Sequence, residues 1–312
     1  MASEWDCVVV GGGAAGLSAA LVLGRARQRT LLLDGGRQSN LAAEGIGGLL
    51  GSDHRPPAEF YAAGRAELDA YPSVEIREVE ALDGSAEGPG FALELGDGSE
   101  ERARTVLLAT GMDYRYPDLL GARERWGHSV FHCPFCHGWE VRDQPLAVLA
   151  NGKRAVQSTF LLRGWSDDVV LLTGGPAELD GDARSRLAAA RVAVDERPIA
   201  ELASSNGELE AVVFTDGTRL ARSGLLVATT LHQRSQLVEQ LGVGFGEPTP
   251  AAANPIAVDA LCRTTVPGVF AAGDTIATQM PQVALAIATG SLAAASIVQS
   301  LAGDVGLPST VS

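Results

Sequence analysis

The chain has 312 residues, of which 46% are hydrophobic and 20% charged, so it is long enough for roughly two ordinary globular domains. Its formal net charge of −14 repels phosphate backbones and anionic bilayers, and we therefore expect neither nucleic acid nor membrane as a partner. Four cysteines are too few for a disulfide scaffold, and the sequence shows neither a secretory signal nor an apolar run of about 18 residues, so we expect a cytoplasmic protein that acts on small molecules.

The chain opens with a dinucleotide-binding pattern. A buried strand is predicted over residues 7 to 10, an apolar helix follows, and a second strand over residues 30 to 33 ends before Asp34. Gly11 allows the tight turn, Gly13 lets the backbone approach a pyrophosphate, and Gly16 lets helix and strand pack closely. The free N–H groups at the helix N-terminus can bind the phosphates, and Asp34 can accept hydrogen bonds from a ribose. A further strand and turn, LLATG, is predicted at residues 107 to 111.

The middle of the chain contains the stretch HCPFCHGWE, residues 132 to 140. In a reducing compartment a close cysteine pair is catalytic or metal-binding more often than structural. Zinc is possible for cysteines beside histidines, but a structural zinc site usually takes a second, distant ligand pair, and the sequence has no second CxxC. We therefore predict no metal and favour a redox pair, Cys133 and Cys136.

The segment that follows is a degenerate copy of the N-terminus. Aligned without a gap at an offset of 139, residues 145 to 175 repeat the strand, turn, helix and strand. The fingerprint positions become Ala150, Gly152, Ala155 and Thr173. The first glycine is lost and Thr173 is not the acid that reads a ribose, so we predict a folded second Rossmann unit without a working nicotinamide site.

The C-terminal part supplies a second flavin-type segment. VPGVFAAGD, from residue 266, predicts a short strand ending at Gly273 and Asp274, and a long apolar helix begins near Pro281. An aspartate at this place can bind the ribityl hydroxyls of a flavin, and the helix N-terminus can face the electron-rich edge of its ring. We therefore predict FAD as the cofactor, bound by one domain built from both ends of the chain.

Over nearly its whole length the sequence resembles the low-molecular-weight thioredoxin reductase family. The resemblance is carried by two Rossmann units, the CPFC motif, and the ATG and GVFAAGD segments. It implies an α/β fold of two Rossmann-like three-layer domains, an FAD domain interrupted by an inserted domain with the CxxC, and a homodimer. The domain boundaries expected are 1–117 and 245–312 for the FAD domain and 118–244 for the insertion.

The resemblance also implies the FAD-binding residues. They are Gly11, Gly13, Ala14, Ala15, Gly16, Asp34, Gly35, Gln38, Ser39, Asn40, Ala109, Thr110, Gly111, Gly273, Asp274, Gln282 and Val283.

Two departures from the family narrow the expected activity. The nicotinamide signals are weak, and His137 stands where reductases place an acidic residue. This combination resembles the dithiol oxidase branch, whose members close a disulfide in small natural products such as dithiolopyrrolones and epipolythiodioxopiperazines, in antibiotic biosynthesis. The implied route runs from a small dithiol through the CxxC and FAD to O2, which gives H2O2. The alternatives are a reductase of a thioredoxin-like protein, driven by NADPH or another donor, and a non-catalytic flavoprotein that senses redox state.

Roles for individual residues follow from the resemblance and from elementary chemistry. By analogy Cys133 exchanges with substrate and Cys136 lies against the flavin. A base must take a proton from the dithiol, and a histidine titrates near neutrality. We predict His137 as this base, with His132 as the alternate. The aromatic side chains nearby either line an apolar substrate pocket or pack in the core, and these are Trp126, Phe135 and Trp139.

Overall fold

The computed structural model describes residues 5–276 and 280–303. The chain divides into two compact units. Unit 1 comprises Met1–Leu41, Ala58–Asp113 and Leu231–Ser312, and unit 2 comprises Ala42–Pro57 and Tyr114–Thr230.

Both units contain strands and helices, with several strands in succession in each unit. The strands are β1 Trp5–Val10, β2 Thr30–Leu33, β3 Val74–Arg77, β4 Ala81–Glu87, β5 Gly90–Leu95, β6 Glu100–Leu108, β7 Met112–Tyr114, β8 Val130–Phe131, β9 Leu146–Leu149, β10 Val169–Leu172, β11 Ala193–Asp195, β12 Ile199–Ser205, β13 Glu208–Phe214, β14 Arg219–Ala221, β15 Gly224–Val227, β16 Leu231–Gln233 and β17 Val269–Ala271. The helices are α1 Ala14–Arg25, α2 Pro57–Leu68, α3 Pro134–His137, α4 Lys153–Leu162, α5 Gly181–Ala189, α6 Leu237–Gln240 and α7 Val283–Leu301.

Unit 1 is built on a seven-stranded sheet in the order β3-β2-β1-β6-β5-β4, with β17 paired to the last part of β6. The strands β3, β2, β1, β6 and β17 are parallel, and β5 and β4 extend the sheet antiparallel. Along β1, Val8 and Val10 pack into one core cluster while Cys7 and Val9 pack into the other, with α1 and α7. Because both faces are covered, the strand is an uninterrupted apolar run.

Unit 2 has a five-stranded parallel sheet in the order β11-β10-β9-β15-β8. Leu146 and Val148 of β9 face the cluster that contains α4, whereas Ala147 faces a cluster formed with the antiparallel strands β12, β13 and β14. The sheet therefore lies between a helical layer and a second, smaller sheet. Each unit has the Rossmann-like three-layer arrangement expected from the sequence, and the predicted fold class is confirmed.

The division into units differs from the expected domain boundaries in three places, and the first is that the longer segment of unit 2 begins at Tyr114 rather than at residue 118. The chain returns to unit 1 at Leu231, where the sequence suggested residue 245, because Leu231 donates a backbone hydrogen bond to Ala251 and accepts one from Ala253. Residues 42 to 57 belong with unit 2 although they lie between two parts of unit 1. The differences at Leu231 and at residues 42 to 57 depend on contacts between residues far apart in sequence, which local patterns do not report.

One described helix, α7, is long and apolar enough to cross a membrane by length and composition. In this fold it packs along α1, and Ala293, Ala294 and Ile297 are buried in the core of unit 1. A side chain at Gly290 would collide with the backbone of Ala15, so the two helices approach closely at that point. This glycine therefore brings the C-terminal helix onto the first helix of the chain.

Candidate functional site

The turn between β1 and α1 in unit 1 has the geometry of a dinucleotide cradle. Gly11 has a φ of +116°, and a side chain there would collide with the Ala109 carbonyl oxygen. A side chain at Gly16 would collide with the Gly11 carbonyl oxygen, so helix and turn pack without space for a Cβ. Gly13 caps α1, and the nearest atom to a Cβ placed there is Gln38 Cγ, at 4.0 Å. The turn is closed toward the protein and open where a phosphate would approach.

Asp34 follows β2 and is almost completely buried beside this turn. Its Oδ1 accepts hydrogen bonds from the Gly36 N–H and from Gln38 Nε2, both at 2.9 Å. Its Oδ2 pairs with Arg65 Nη1 at 3.2 Å. The sequence analysis did not identify Arg65, because α2 carries no motif that links it to β2. Asp34 is thus held in one orientation at the place where the fingerprint expects the ribose acid.

The surroundings of the cradle fit an FAD molecule. Thr110 Oγ1 is buried and has no hydrogen-bond partner among residues 5–276 and 280–303, so a polar partner is missing at the turn after β6. Tyr61 donates a hydrogen bond to Asn40 Oδ1 at 2.8 Å. Burial raises the pKa of Tyr61 to about 12, so it remains a neutral donor.

The C-terminal flavin-type segment lies in the same unit. Gly273, with a φ of +80°, donates its N–H to Thr289 Oγ1 at 3.0 Å, and Asp274 follows within a short 3-10 turn. Gln282 caps α7, and Val283 is its first residue. The helix therefore begins two residues after Pro281, close to the predicted start. The remaining predicted FAD contacts are also in unit 1, and they are Ala14, Ala15, Gly35, Ser39 and Gly111.

Cys133 and Cys136 form a disulfide in unit 2, with their Cα atoms 5.4 Å apart. Cys133 caps α3, and Pro134 occupies the first helical position, where a missing N–H costs nothing. Cys133 is 9% exposed and Cys136 is half-buried. The assignment of Cys133 to the substrate therefore rests on the family resemblance rather than on accessibility.

His137 occupies the last position of α3, directly after Cys136. Its Nε2 lies 3.1 Å from the Gly127 carbonyl oxygen, and its ring stacks on Phe131 with centroids 5.6 Å apart. A carbonyl only accepts, so this contact favours the tautomer with the proton on Nε2 and the lone pair on Nδ1. The Cys133 backbone also approaches the ring, although the buried Nδ1 makes no hydrogen bond of normal geometry within the described chain. Burial lowers the pKa of His137, so the ring is neutral at neutral pH.

His132 lies in a different environment. Its ring is 4.5 Å from the Tyr114 ring and stacks on the Trp126 ring at 5.7 Å. Burial lowers the pKa of His132 to about 3. Trp126 thus packs against this histidine, and a histidine with so low a pKa is a poor proton acceptor near neutrality.

Beside the disulfide, unit 2 exposes an aromatic surface made of Phe135, Trp139 and Trp165. Phe135 and Trp139 are 50% and 59% exposed. Phe135 meets Trp165 edge to face at 5.5 Å, and the Arg142 guanidinium lies 3.9 Å from the centre of the Trp139 ring. Neither Phe135 nor Trp139 packs in a core.

The segment 42–57 contacts the disulfide helix within unit 2. A Cβ at Gly47 would lie 2.5 Å from the Cys136 carbonyl oxygen, so the two backbones touch. His54 Nδ1 lies 3.4 Å from Glu140 Oε1. The sequence of this segment indicates no role, because a glycine-rich loop has no periodicity that reports its long-range contacts.

Comparisons with known proteins agree with this architecture. The family model described as pyridine nucleotide-disulphide oxidoreductase matches residues 5–290. The chain is 32% identical over 283 residues to the thioredoxin reductase tcpT of Claviceps purpurea, and the match covers 86% of each chain. Among solved structures, HlmI is 38% identical with a TM-score of 0.90, over 97% of this chain and 94% of that one. An oxidoreductase from Agrobacterium tumefaciens is 35% identical with a TM-score of 0.89, over 96% and 99% of the two chains.

These matches confirm two expectations from the sequence, the thioredoxin reductase-like resemblance and FAD as the cofactor. They span both units and include the glycine cradle and the cysteine pair. The chain is a flavoprotein oxidoreductase that binds FAD and belongs to the pyridine nucleotide-disulphide oxidoreductase family.

Proposed function

We propose that this protein is an FAD-dependent dithiol oxidase that closes an intramolecular disulfide in a small natural product. The proposed substrate is a dithiol of the dithiolopyrrolone or epipolythiodioxopiperazine kind, and the electron acceptor is O2. The observation that carries the proposal is the state of His137, a neutral imidazole directly after Cys136 that is held by the Gly127 carbonyl and approached by the Cys133 backbone. Such a group can accept a proton from a thiol but adds no negative charge beside the disulfide.

The cysteine pair takes up the two electrons that the substrate loses when its disulfide forms. One thiolate of the substrate attacks the Cys133 sulfur, forming a mixed disulfide and releasing Cys136 as a thiolate. The second substrate thiolate then displaces Cys133, so the substrate leaves as a cyclic disulfide and the protein holds two reduced cysteines. FAD, which the turn at Gly11 to Gly16 and Asp34 would hold, would supply the two-electron acceptor for the reduced cysteines and the route to O2, with H2O2 as the product.

His137 supports the first step by holding a proton. Nε2 is engaged with the Gly127 carbonyl, so we assign proton uptake to Nδ1, which is enclosed in this structure and has to become accessible to the substrate thiol. His132, with a pKa of about 3, would hold that proton far less well near neutral pH. The proposal therefore assigns the base to His137 and leaves His132 as a packing residue.

The aromatic surface supports a small apolar substrate. Phe135 lies between the two cysteines in sequence, and its exposed ring together with that of Trp139 offers flat apolar area to a compact heterocycle. We propose that these two rings contact the substrate while its sulfurs react with the disulfide.

The test is anaerobic mixing of the FAD-loaded protein with either a reduced dithiolopyrrolone or NADPH, with the flavin absorbance as readout. We expect the dithiol to bleach the flavin and air to restore it, with H2O2 formed and a product two hydrogens lighter by mass spectrometry. Cys136→Ser, which removes the disulfide, should show no bleaching by the dithiol.

Rapid bleaching of the wild-type protein by NADPH would contradict the oxidase. It would instead favour a reductase of a thioredoxin-like protein, which is the activity for which the relative tcpT is named. Failure of both reagents to bleach the flavin would contradict the oxidase as well.

A further inference from the structure

The second Rossmann unit retains the framework of a nucleotide site. Gly152 caps α4 as Gly13 caps α1, so the alignment at an offset of 139 residues holds in the structure. Gly152 has a φ of +60°, which glycine adopts without strain. In a Rossmann unit this turn and the helix N-terminus bind the pyrophosphate of a dinucleotide.

In this chain the turn is bonded to the protein itself through the side chain of Asn151. Its Oδ1 accepts hydrogen bonds from the Gly152 N–H at 2.9 Å and from the Glu178 N–H at 2.8 Å. Its Nδ2 donates to the Pro176 carbonyl oxygen at 3.1 Å. The Gly152 N–H, which precedes the helix, therefore already has a hydrogen-bond acceptor. The loop after β10 is hydrogen-bonded to the turn through Asn151.

The side chain of Glu178 adds a negative charge at the same place. Its Oε2 would lie 3.7 Å from a Cβ at Gly152. The equivalent neighbour of Gly13 in unit 1 is the methylene stem of the neutral Gln38. A pyrophosphate at Gly152 would thus meet a carboxylate, whereas one at Gly13 would not.

Two further polar side chains near this turn are engaged within the protein, whereas Lys153, the first residue of α4, is exposed. Thr173, at the position of the ribose acid, donates its hydroxyl to the Gly175 carbonyl oxygen at 2.6 Å. Arg154 donates to the Thr229 carbonyl oxygen at 2.8 Å and to Thr230 Oγ1 at 3.1 Å. The Arg154 guanidinium is therefore directed away from this turn.

We propose that Asn151 and Glu178 close the phosphate site of the second Rossmann unit from within and so exclude pyridine dinucleotides as electron donors. The proposal deepens the proposed function and rests on it, because an oxidase that draws electrons from a substrate dithiol gains selectivity by rejecting NADPH. It names two specificity-determining residues, neither of which takes part in thiol exchange.

The test measures binding of NADP⁺ and NAD⁺ to the FAD-loaded protein by calorimetry, which requires no turnover. The wild-type protein should show no saturable binding below millimolar concentration. Glu178→Gln, which removes the charge and keeps the shape, should bind NADP⁺ about tenfold more tightly, and the double variant Asn151→Gly with Glu178→Gln more tightly still. The matched control is Glu208→Gln, an exposed glutamate of β13 in the same unit, which should bind as the wild type does.

Two results would overturn the proposal. One is micromolar binding of either nucleotide to the wild-type protein. The other is an affinity for NADP⁺ in Glu178→Gln that equals that of the wild-type protein. If the double variant does not fold as the wild type does, Glu178→Gln alone decides. Bleaching of the flavin by the dithiol is recorded on the same samples and tests the oxidase separately. If the dithiol does not bleach the flavin and the wild-type protein still binds no nucleotide, the result counts against the oxidase alone.

Discussion

Two histidines five residues apart lie in environments that give them different chemistry. His132 is enclosed by the rings of Tyr114 and Trp126, and burial takes its pKa to about 3. Burial also lowers the pKa of His137, but its ring lies between two backbone contacts, one to the Gly127 carbonyl and one to Cys133. The difference between the two residues is one of packing, which their shared position beside the CxxC does not reveal.

The first prediction concerns the pH dependence of dithiol oxidation. A lowered pKa means that His137 is a neutral, competent base above that pKa and loses this form only as the pH falls through it. The acid limb of kcat/KM should therefore lie below pH 6.5, the ordinary value for histidine. His137→Gln should lose about 100-fold or more in rate at neutral pH, together with this limb. Steady-state kinetics over a pH series measure both effects.

His232→Gln is the matched control, because this histidine is in unit 1 and outside the CxxC segment. It should keep the wild-type rate and the acid limb. A His137→Gln protein whose pH profile matches that of the wild type would show that another group is the base.

At the scale of single residues, the sequence predicts contacts that are local and misses those that are not. Gly11 and Gly13 were predictable, because the turn they form lies within one strand-turn-helix pattern. The pairing of Arg65 with Asp34 joins residues 31 positions apart, and no motif connects them. The hydrogen bonds of Asn151 to the loop at Pro176 and Glu178 are of the same kind.

Among the elements, the segment 42–57 has the most direct influence on the disulfide within unit 2. Its ends pair through Ile46 and Arg55, and the Gly48 N–H donates to Asp53 Oδ1 at 2.8 Å. Gly47 lies against the Cys136 carbonyl, so the segment packs on the backbone of the second cysteine and supports it. Glycine is required there for close approach of two backbones rather than for an unusual φ.

The second prediction is that Gly47→Ala destabilises this contact. Its Cβ would meet backbone atoms of Cys136, which cannot move aside as a flexible side chain can. We expect a loss of about 1–3 kcal/mol in the free energy of unfolding, the usual cost of overpacking, measured by denaturant titration of the FAD-loaded protein. Gly181→Ala, at a glycine of unit 2 with open space around it, should show no such loss. Equal stability of the two variants would contradict a stabilising contact between Gly47 and Cys136.

At the scale of the whole chain, one local pattern is used twice with different outcomes. The strand-turn-helix-strand of unit 1 recurs in unit 2 as β9, α4 and β10, and this repeat made both folds predictable. The return of the chain to unit 1 at Leu231 was not predictable, because it depends on hydrogen bonds to Ala251 and Ala253 rather than on a local signal. The pattern fixes the architecture of each unit, and the side chains at its turns decide what each unit binds.

The third prediction is the homodimer that the family resemblance implies. Helix α7 is apolar along its length, yet Leu285 and Leu292 are exposed in the single chain. Apolar side chains on such a helix face are commonly covered by a partner surface. Light scattering of the FAD-loaded protein should give a mass of twice 32.3 kDa. Replacing both leucines by glutamate should lower the mass toward that of one chain, whereas Leu82→Glu, at an exposed leucine of β4, should not. A wild-type mass of one chain would refute the dimer, and a dimer that persists in the double variant would place its interface elsewhere than on this face of α7.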